Sequence, residues 1–170
     1  MVKQATEQKQ GCKVQTRKAS SLIEEMDALR GAIMQRAYEI FAGRDGRYGG
    51  PLDDWLAAER ELVWQPPMAV SQHNGGYRIE LAVPGLKAGD IEVQSTEEEI
   101  LVKSAACASG CAPGDTLCLS ELPQGHVFRT IALPRTIDRE HVTAELHDGL
   151  LHIEVPMAAA AVSRKVPVVT

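Results

Sequence analysis

Three thiols fall close together as Cys107-x-x-x-Cys111-x6-Cys118, with a fourth, Cys12, far upstream. Clustered thiolates hold zinc or exchange with disulfides. Structural zinc sites take closer cysteine pairs with matching further ligands, and a single C-x-x-x-C supplies neither. No apolar secretory core occupies the start, Met1 to Thr6, so the default is reduced thiols rather than a disulfide framework. Oxidative cross-linking between subunits stays open, as does a thiol-based metal or redox enzyme resting on this loop alone. The histidines His73, His126, His141, His147 and His152 follow no ligand spacing on one helix or strand. His147 and His152 flank a turn and can approach each other, but solvated turn histidines account for them. Glu97-Glu98-Glu99 lacks the glycine and spaced oxygen ligands of a calcium loop and reads as a solvated turn. The glycines between Gly43 and Gly50 have no strand before them and no Gly-Lys-Ser/Thr after them, so a helix-helix turn explains them better than a phosphate loop. There is no Gly-x-Ser-x-Gly elbow and no His-Glu-x-x-His helix. The expectation is no catalytic residue, no metal and no cofactor.

Composition narrows the classes further. The 170 residues are 44% hydrophobic and 24% charged with formal net charge -5, which fits one domain with appendages and excludes wholesale disorder. An acidic total argues against nucleic acid as a partner. No apolar run reaches the roughly 18 residues that span a bilayer, so no membrane partner and a cytoplasmic location are expected. Two Trp, three Tyr and two Phe are too few for a base-stacking surface or an aromatic-lined pocket.

Three zones must position whatever function remains. Residues 1–20 carry Lys3, Lys9, Lys13, Arg17 and Lys18 against the single acid Glu7, with almost no large apolar residue, and are expected to be a disordered leader. That leader holds +4, leaving -9 for the rest. In residues 21–66 the period is helical: Leu22, Met26, Leu29, Ile33, Ala37 and Ile40 fall on one stripe, with Ser21 and Glu24 as a capping box and Gly43 as a stop. A second helix is expected from Pro51, with Asp53 and Asp54 opposing its dipole. The stretch from Arg36 to Leu62 resembles a small helix-pair module of unknown function found in bacterial proteins. Pro66 and Pro67 end the helical zone.

Beyond them the period becomes two. Tyr77, Ile79, Leu81 and Val83 alternate with polar or small residues before the Pro84-Gly85 turn, and Ile91/Val93, Ile100-Leu101-Val102 and Val127 to Leu133 mark further strands. Val142, Ala144 and Leu146 lead through His147-Asp148-Gly149 into Leu151, Ile153 and Val155, stopped by Pro156. Short strands without intervening amphipathic helices indicate an all-β fold, an antiparallel β-sandwich.

These residues also carry a family resemblance. Leu81-Ala82-Val83-Pro84-Gly85-Leu86, then Phe128-Arg129-Thr130-Ile131-Ala132-Leu133-Pro134, then Ala144-Glu145-Leu146-His147-Asp148-Gly149-Leu150-Leu151 keep the order, spacing and A-x-x-x-(N/D)-G-x-L signature of the α-crystallin domain of small heat-shock proteins. Residues 67–156 therefore resemble that immunoglobulin-like sandwich, followed by a tail over 157–170. The resemblance implies an ATP-independent holdase that binds unfolding client proteins and is not an enzyme. It also implies self-association by strand exchange. Leu117 and Leu119, on a strand within the 104–124 connection, would pair with the partner's strand around Met68 and Val70, and Arg129 would support the dimer contacts.

The tail carries Val166-Pro167-Val168, which resembles the family's anchor between subunits. By its own chemistry it is a pre-extended pair of β-branched residues able to fill two adjacent pockets. Its expected groove lies between the edges contributed by Ile91 and Val93 on one side and Val142, Ala144 and Leu146 on the other. Candidate client contacts are Leu22, Met26, Leu29, Ile33, Met34, Ile40 and Phe41. The rival reading is a dedicated adaptor that binds one folded partner through the same sandwich.

Overall fold

The computed structural model describes residues 11–19, 21–44, 49–107, 118 and 125–158. Two five-stranded sheets face each other. One runs β1 (Cys12–Lys13), β9 (Thr143–His147), β10 (Leu150–Pro156), β5 (Gly76–Ala82), β4 (Met68–His73). The other runs β2 (Gln15–Lys18), β6 (Ile91–Ser95), β7 (Glu99–Cys107), β8 (His126–Ala132), β3 (Val63–Trp64). The strands expected within the described residues are present, the one expected around Leu117 and Leu119 lies outside those residues, and the pairing is antiparallel except for two short additions, β2 on β6 and β3 on β8.

Alternation explains the layering. Ile79 and Leu81 of β5 face inward with Leu151, Ile153 and Val155 of β10, against Ile91, Val93, Ile100, Val102, Val127 and Ile131 from the opposite sheet. Register is fixed by that burial and by turns. Asn74-Gly75 and Asp148-Gly149 both have positive φ at their two central residues, which matches the twist of a two-residue hairpin and joins β4 to β5 and β9 to β10.

The helical arm consists of α1 (Ile23–Gly43) and α2 (Pro51–Leu62), packed on each other. At α2 the expectation holds in detail. Pro51 is the first helical residue, and the Asp53 carboxylate accepts the Gly50 N–H at 2.7 Å. At α1 the Ser21/Glu24 capping box does not form. The Ser21 hydroxyl instead accepts the Ile23 N–H at 3.1 Å, two residues on, and Leu22 occupies the cap position. Arg44 pairs with buried Asp54 at 3.0 Å and Arg36 with Glu61 at 2.6 Å, which fixes the two helices against each other.

Two further features depart from the sequence expectation. Residues 11–19, expected to be without fixed structure, form β1 and β2 and place Val14 in the sandwich core at 7% exposure. And β3, directly after α2, adds to β8 where only a breaker was expected.

A docking groove and an apolar arm

The candidate groove is where the two sheets' edges come together. Sheet edges β6 and β9 contribute side chains of alternate parity, so Ile91, Val93 and Ala144 turn into the core, joined by Val142 just before β9, while Leu146 packs against it half-buried. All five residues proposed for the groove are therefore brought together.

The groove is not empty. Residues 12–18 lie in it and cross from one sheet to the other. Cys12 and Lys13 pair antiparallel with Leu146 and Glu145, the Val14 N–H donates to the Ala144 carbonyl at 2.9 Å, and Gln15 to Lys18 pair parallel with Glu92 to Ser95. Val14 supplies the apolar plug at the crossing point. At the entrance Gly11 sits so close to the His147 ring that a Cβ there would collide with it. At the exit the Ala19 N–H donates to the Ser95 carbonyl at 2.9 Å, and the Arg139 guanidinium donates to the Ala19 carbonyl at 3.4 Å.

Acids line the rim. Arg17 reaches Glu92 at 3.7 Å, and Lys18 pairs with Glu140. Glu92 also faces Lys103 at 3.6 Å, and Lys103 lies 2.6 Å from Glu25 in the first turn of α1. The Gln94 side-chain amide donates to both Glu25 and Glu92 at 3.0 Å. The hydrogen bond from Lys103, followed by that from Gln94, holds the Glu25 carboxyl below its ordinary value. Gln94 and its cross-strand neighbour Leu101 are buried although they sit on the outward face of their sheet, beside this contact with α1. One network thus connects the leader, β6, β7 and the helical arm.

The arm presents apolar surface. Of the seven residues proposed as client contacts, Met26, Met34 and Phe41 are exposed, and Leu29 and Ile40 are half-buried. Leu22 and Ile33 are buried, which removes them from the set: Leu22 is tucked under the start of α1, and Ile33 is the one buried residue within that helix. Ile23, Tyr38 and Leu52 were not singled out, yet are about two-thirds exposed. Tyr38 stacks at 6.3 Å from Phe41, and the Arg44 guanidinium lies 5.5 Å over the Phe41 ring. A helical-wheel count with a second helix as partner would have located them.

The remaining sites fall as follows. Met68 and Val70 lie on β4, the terminal strand of its sheet, with Met68 half-buried and Val70 exposed. Arg129 is half-buried, lies opposite Val102 in the β7–β8 register, and donates to the Gln65 side-chain oxygen at 3.4 Å. Leu117, Leu119, Cys111, Val166 and Val168 lie outside the described residues. The His147 and His152 rings do approach, with centroids 5.8 Å apart, and have Glu145 and Glu80 as separate neighbours at 3.4 and 3.3 Å. Among the described residues no group of three or more His, Cys, Asp or Glu is placed to hold a metal ion. No helix among them is long and apolar enough to cross a membrane.

An aliphatic two-sheet sandwich with a strand-accepting groove at its edge and an apolar helical arm defines a protein of the α-crystallin type. The Hsp20/alpha crystallin family model matches residues 69–169, and a model for a protein family of unknown function, DUF2934, matches residues 30–63. The chain belongs to the Hsp20/alpha crystallin family. It is 25% identical over 112 residues to small heat shock protein C2 of Rickettsia felis, covering 66% of this chain and 71% of that protein. It is 33% identical over 117 residues to the 17.8 kDa class II heat shock protein of Zea mays, covering 67% and 71%. Among solved structures, a small heat-shock protein from Xylella fastidiosa superposes with TM-score 0.52 at 26% identity, covering 63% of this chain and 98% of that one. Heat shock protein 16.0 from Schizosaccharomyces pombe shares the fold, with TM-score 0.50 at 20% identity over 63% and 99%.

Proposed function

We propose that this chain is an ATP-independent holdase that captures apolar segments of unfolding proteins and so prevents their aggregation. The observation that carries the reading is the arm: Met34 at 63%, Phe41 at 55% and Leu52 at 68% exposure are apolar side chains displayed on a helical hairpin attached to a separate, complete core. Such a surface binds many apolar sequences weakly and holds them by mass action, lowering the free concentration of aggregating intermediates. The activity requires no catalytic residue, metal or nucleotide.

Self-association belongs to the same reading. β4 is a six-residue strand with no strand on its outer side among the described residues, and a long open edge is a template for a strand from another copy. The donor would be the segment containing Leu117 and Leu119, with Arg129 supporting the contact. The tail residues Val166 and Val168 would dock into the groove between β6 and β9 of a second copy.

The test is heat aggregation of several unrelated substrates followed by light scattering, without nucleotide, at ratios up to equimolar. Suppression across the set is expected. Protection of none, with tight binding to one folded protein, would establish the adaptor instead.

A further inference from the structure

The segment in the groove and the tail proposed for it are near mirror images in sequence. The leader reads Val14-Gln15-Thr16-Arg17-Lys18: two β-branched residues around one spacer, then two cations. The tail read backwards, Val168-Pro167-Val166-Lys165-Arg164, has the same order of types. The leader uses most of that pattern. Val14 fills the core, Thr16 stays exposed while its backbone pairs opposite Val93, and Arg17 and Lys18 meet Glu92 and Glu140. Laid in the opposite chain direction, the tail would present its valines to the same apolar edges and its cations to the same two acids. A strand edge accepts either direction, since parallel and antiparallel ladders differ in hydrogen-bond pattern rather than in feasibility. Proline would stand where Gln15 stands, at the end of β2 next to the crossing, and a proline is tolerated on a strand added at an edge.

We propose that residues 11–19 are an intramolecular plug for the groove, and that their occupancy excludes residues 164–168 of a second copy. This rests on the tail-docking reading given under Proposed function and adds the element that gates it. The leader is tethered to its own groove and so competes at high effective concentration. A tail from another copy then binds only the fraction of molecules whose leader has left, and its apparent affinity falls by that fraction. The hold is also shallow: one buried aliphatic side chain, a few edge hydrogen bonds and exposed ion pairs. Such a plug exchanges without unfolding the sandwich, which keeps its own core of Ile79, Leu81, Val93, Val102 and Ile153.

The experiment uses the full chain carrying Val166→Asp and Val168→Asp, so that its own tail cannot dock, and titrates a labelled peptide with the sequence of residues 162–170. Adding Val14→Asp should tighten peptide binding at least tenfold. Arg17→Glu with Lys18→Glu loosens the plug without touching the core and should move affinity in the same direction. Amide exchange supplies the direct readout, because saturation with peptide should abolish protection of the Val14 and Ala19 N–H groups. Equal affinity with and without the leader substitutions, or Val14 protection retained in the peptide complex, overturns the plug while leaving tail docking intact. Absence of peptide binding to every variant overturns both.

Discussion

In the sandwich, Ile79, Leu81, Val93, Ile100, Val102, Leu151 and Ile153 are wholly shielded from solvent, whereas in α1, 21 residues long, Ile33 alone is buried. Both regions are rich in aliphatic side chains. In the sandwich each one meets a partner on the facing sheet, because period-two strands give two apolar faces that close on each other. In the arm the two helices pack mainly on one another, with the start of α1 alone tied to the sheet through Glu25, so an apolar side chain turned away from those contacts is left exposed. The lesson is a division of labour: one region spends apolar area on stability, and the other leaves it available for binding. Substitutions should therefore separate stability from capture.

The largest stability effect belongs to the sandwich. Leu81→Ala removes a fully buried side chain between the sheets and should cost about 2–5 kcal/mol in urea unfolding, the range for such truncations in closed cores. A cost near that of a surface substitution would mean that the two sheets are not one closed core.

The next effect should stay inside the arm. Asp54 is 5% exposed, its Oδ1 is paired with Arg44 at 3.0 Å, and its Oδ2 is buried with no hydrogen-bond partner among the described residues. Arg44→Met would leave that carboxylate without its cation at a cost of about 1–3 kcal/mol. Amide exchange should show protection lost in α1 and α2 and unchanged in β5 and β10. Loss in both would show that the arm and the sandwich unfold as a single unit.

The same contrast governs what the sequence revealed. Strands of the sandwich were legible because Tyr77, Ile79, Leu81 and Val83 must alternate to bury one face, and this pattern survives without knowledge of the partner. The inward positions of β6 and β9 were legible for the same reason, since Ile91, Val93 and Ala144, with Val142 just before β9, all join the core. The Asn74-Gly75 turn was also readable and passed over, although this dipeptide is a strong hairpin signal. The ordered leader was not legible. Its strands are held by backbone hydrogen bonds to edges formed elsewhere, and Val14 is the single apolar side chain it buries, so neither composition nor period announces it. On α1 the stripe was visible but its burial was not. Which stripe residues are covered depends on α2 and on the sheet that meets Glu25, information that one helix does not contain.

A smaller effect tests the junction between the two regions. Glu25 ties the start of α1 to Lys103 and Gln94 of the sheet, and its carboxyl titrates below the ordinary value because those groups donate to its ionised form. A carboxylate with a lowered folded-state pKa contributes stability above its unfolded value of about 4.3, and loses it as pH falls through the folded value. Glu25→Gln should therefore lower stability by about 0.5–1 kcal/mol at pH 7, the upper part of the range for exposed pairs because this one is partly shielded. The gap between variant and parent should close as pH falls through the lowered folded-state value of Glu25. A gap that persists there would assign the effect to packing rather than charge.

The smallest stability effect should accompany a change in capture. Met34→Ser with Phe41→Ser replaces two exposed side chains on α1, which removes little buried area and costs a few tenths of a kcal/mol in helix propensity. Urea midpoints should therefore move by less than about 0.5 kcal/mol equivalent. Light-scattering suppression per mole should nevertheless fall, because the removed groups belong to the exposed apolar surface proposed to contact clients and to no core. Leu22→Ala provides the opposing control: it is buried, so it should lower stability first and affect capture only through the loosened arm. Undiminished suppression by the double serine variant would move client capture away from this face of the arm and toward the sheet edges, where the exposed β4 strand is the next surface to alter.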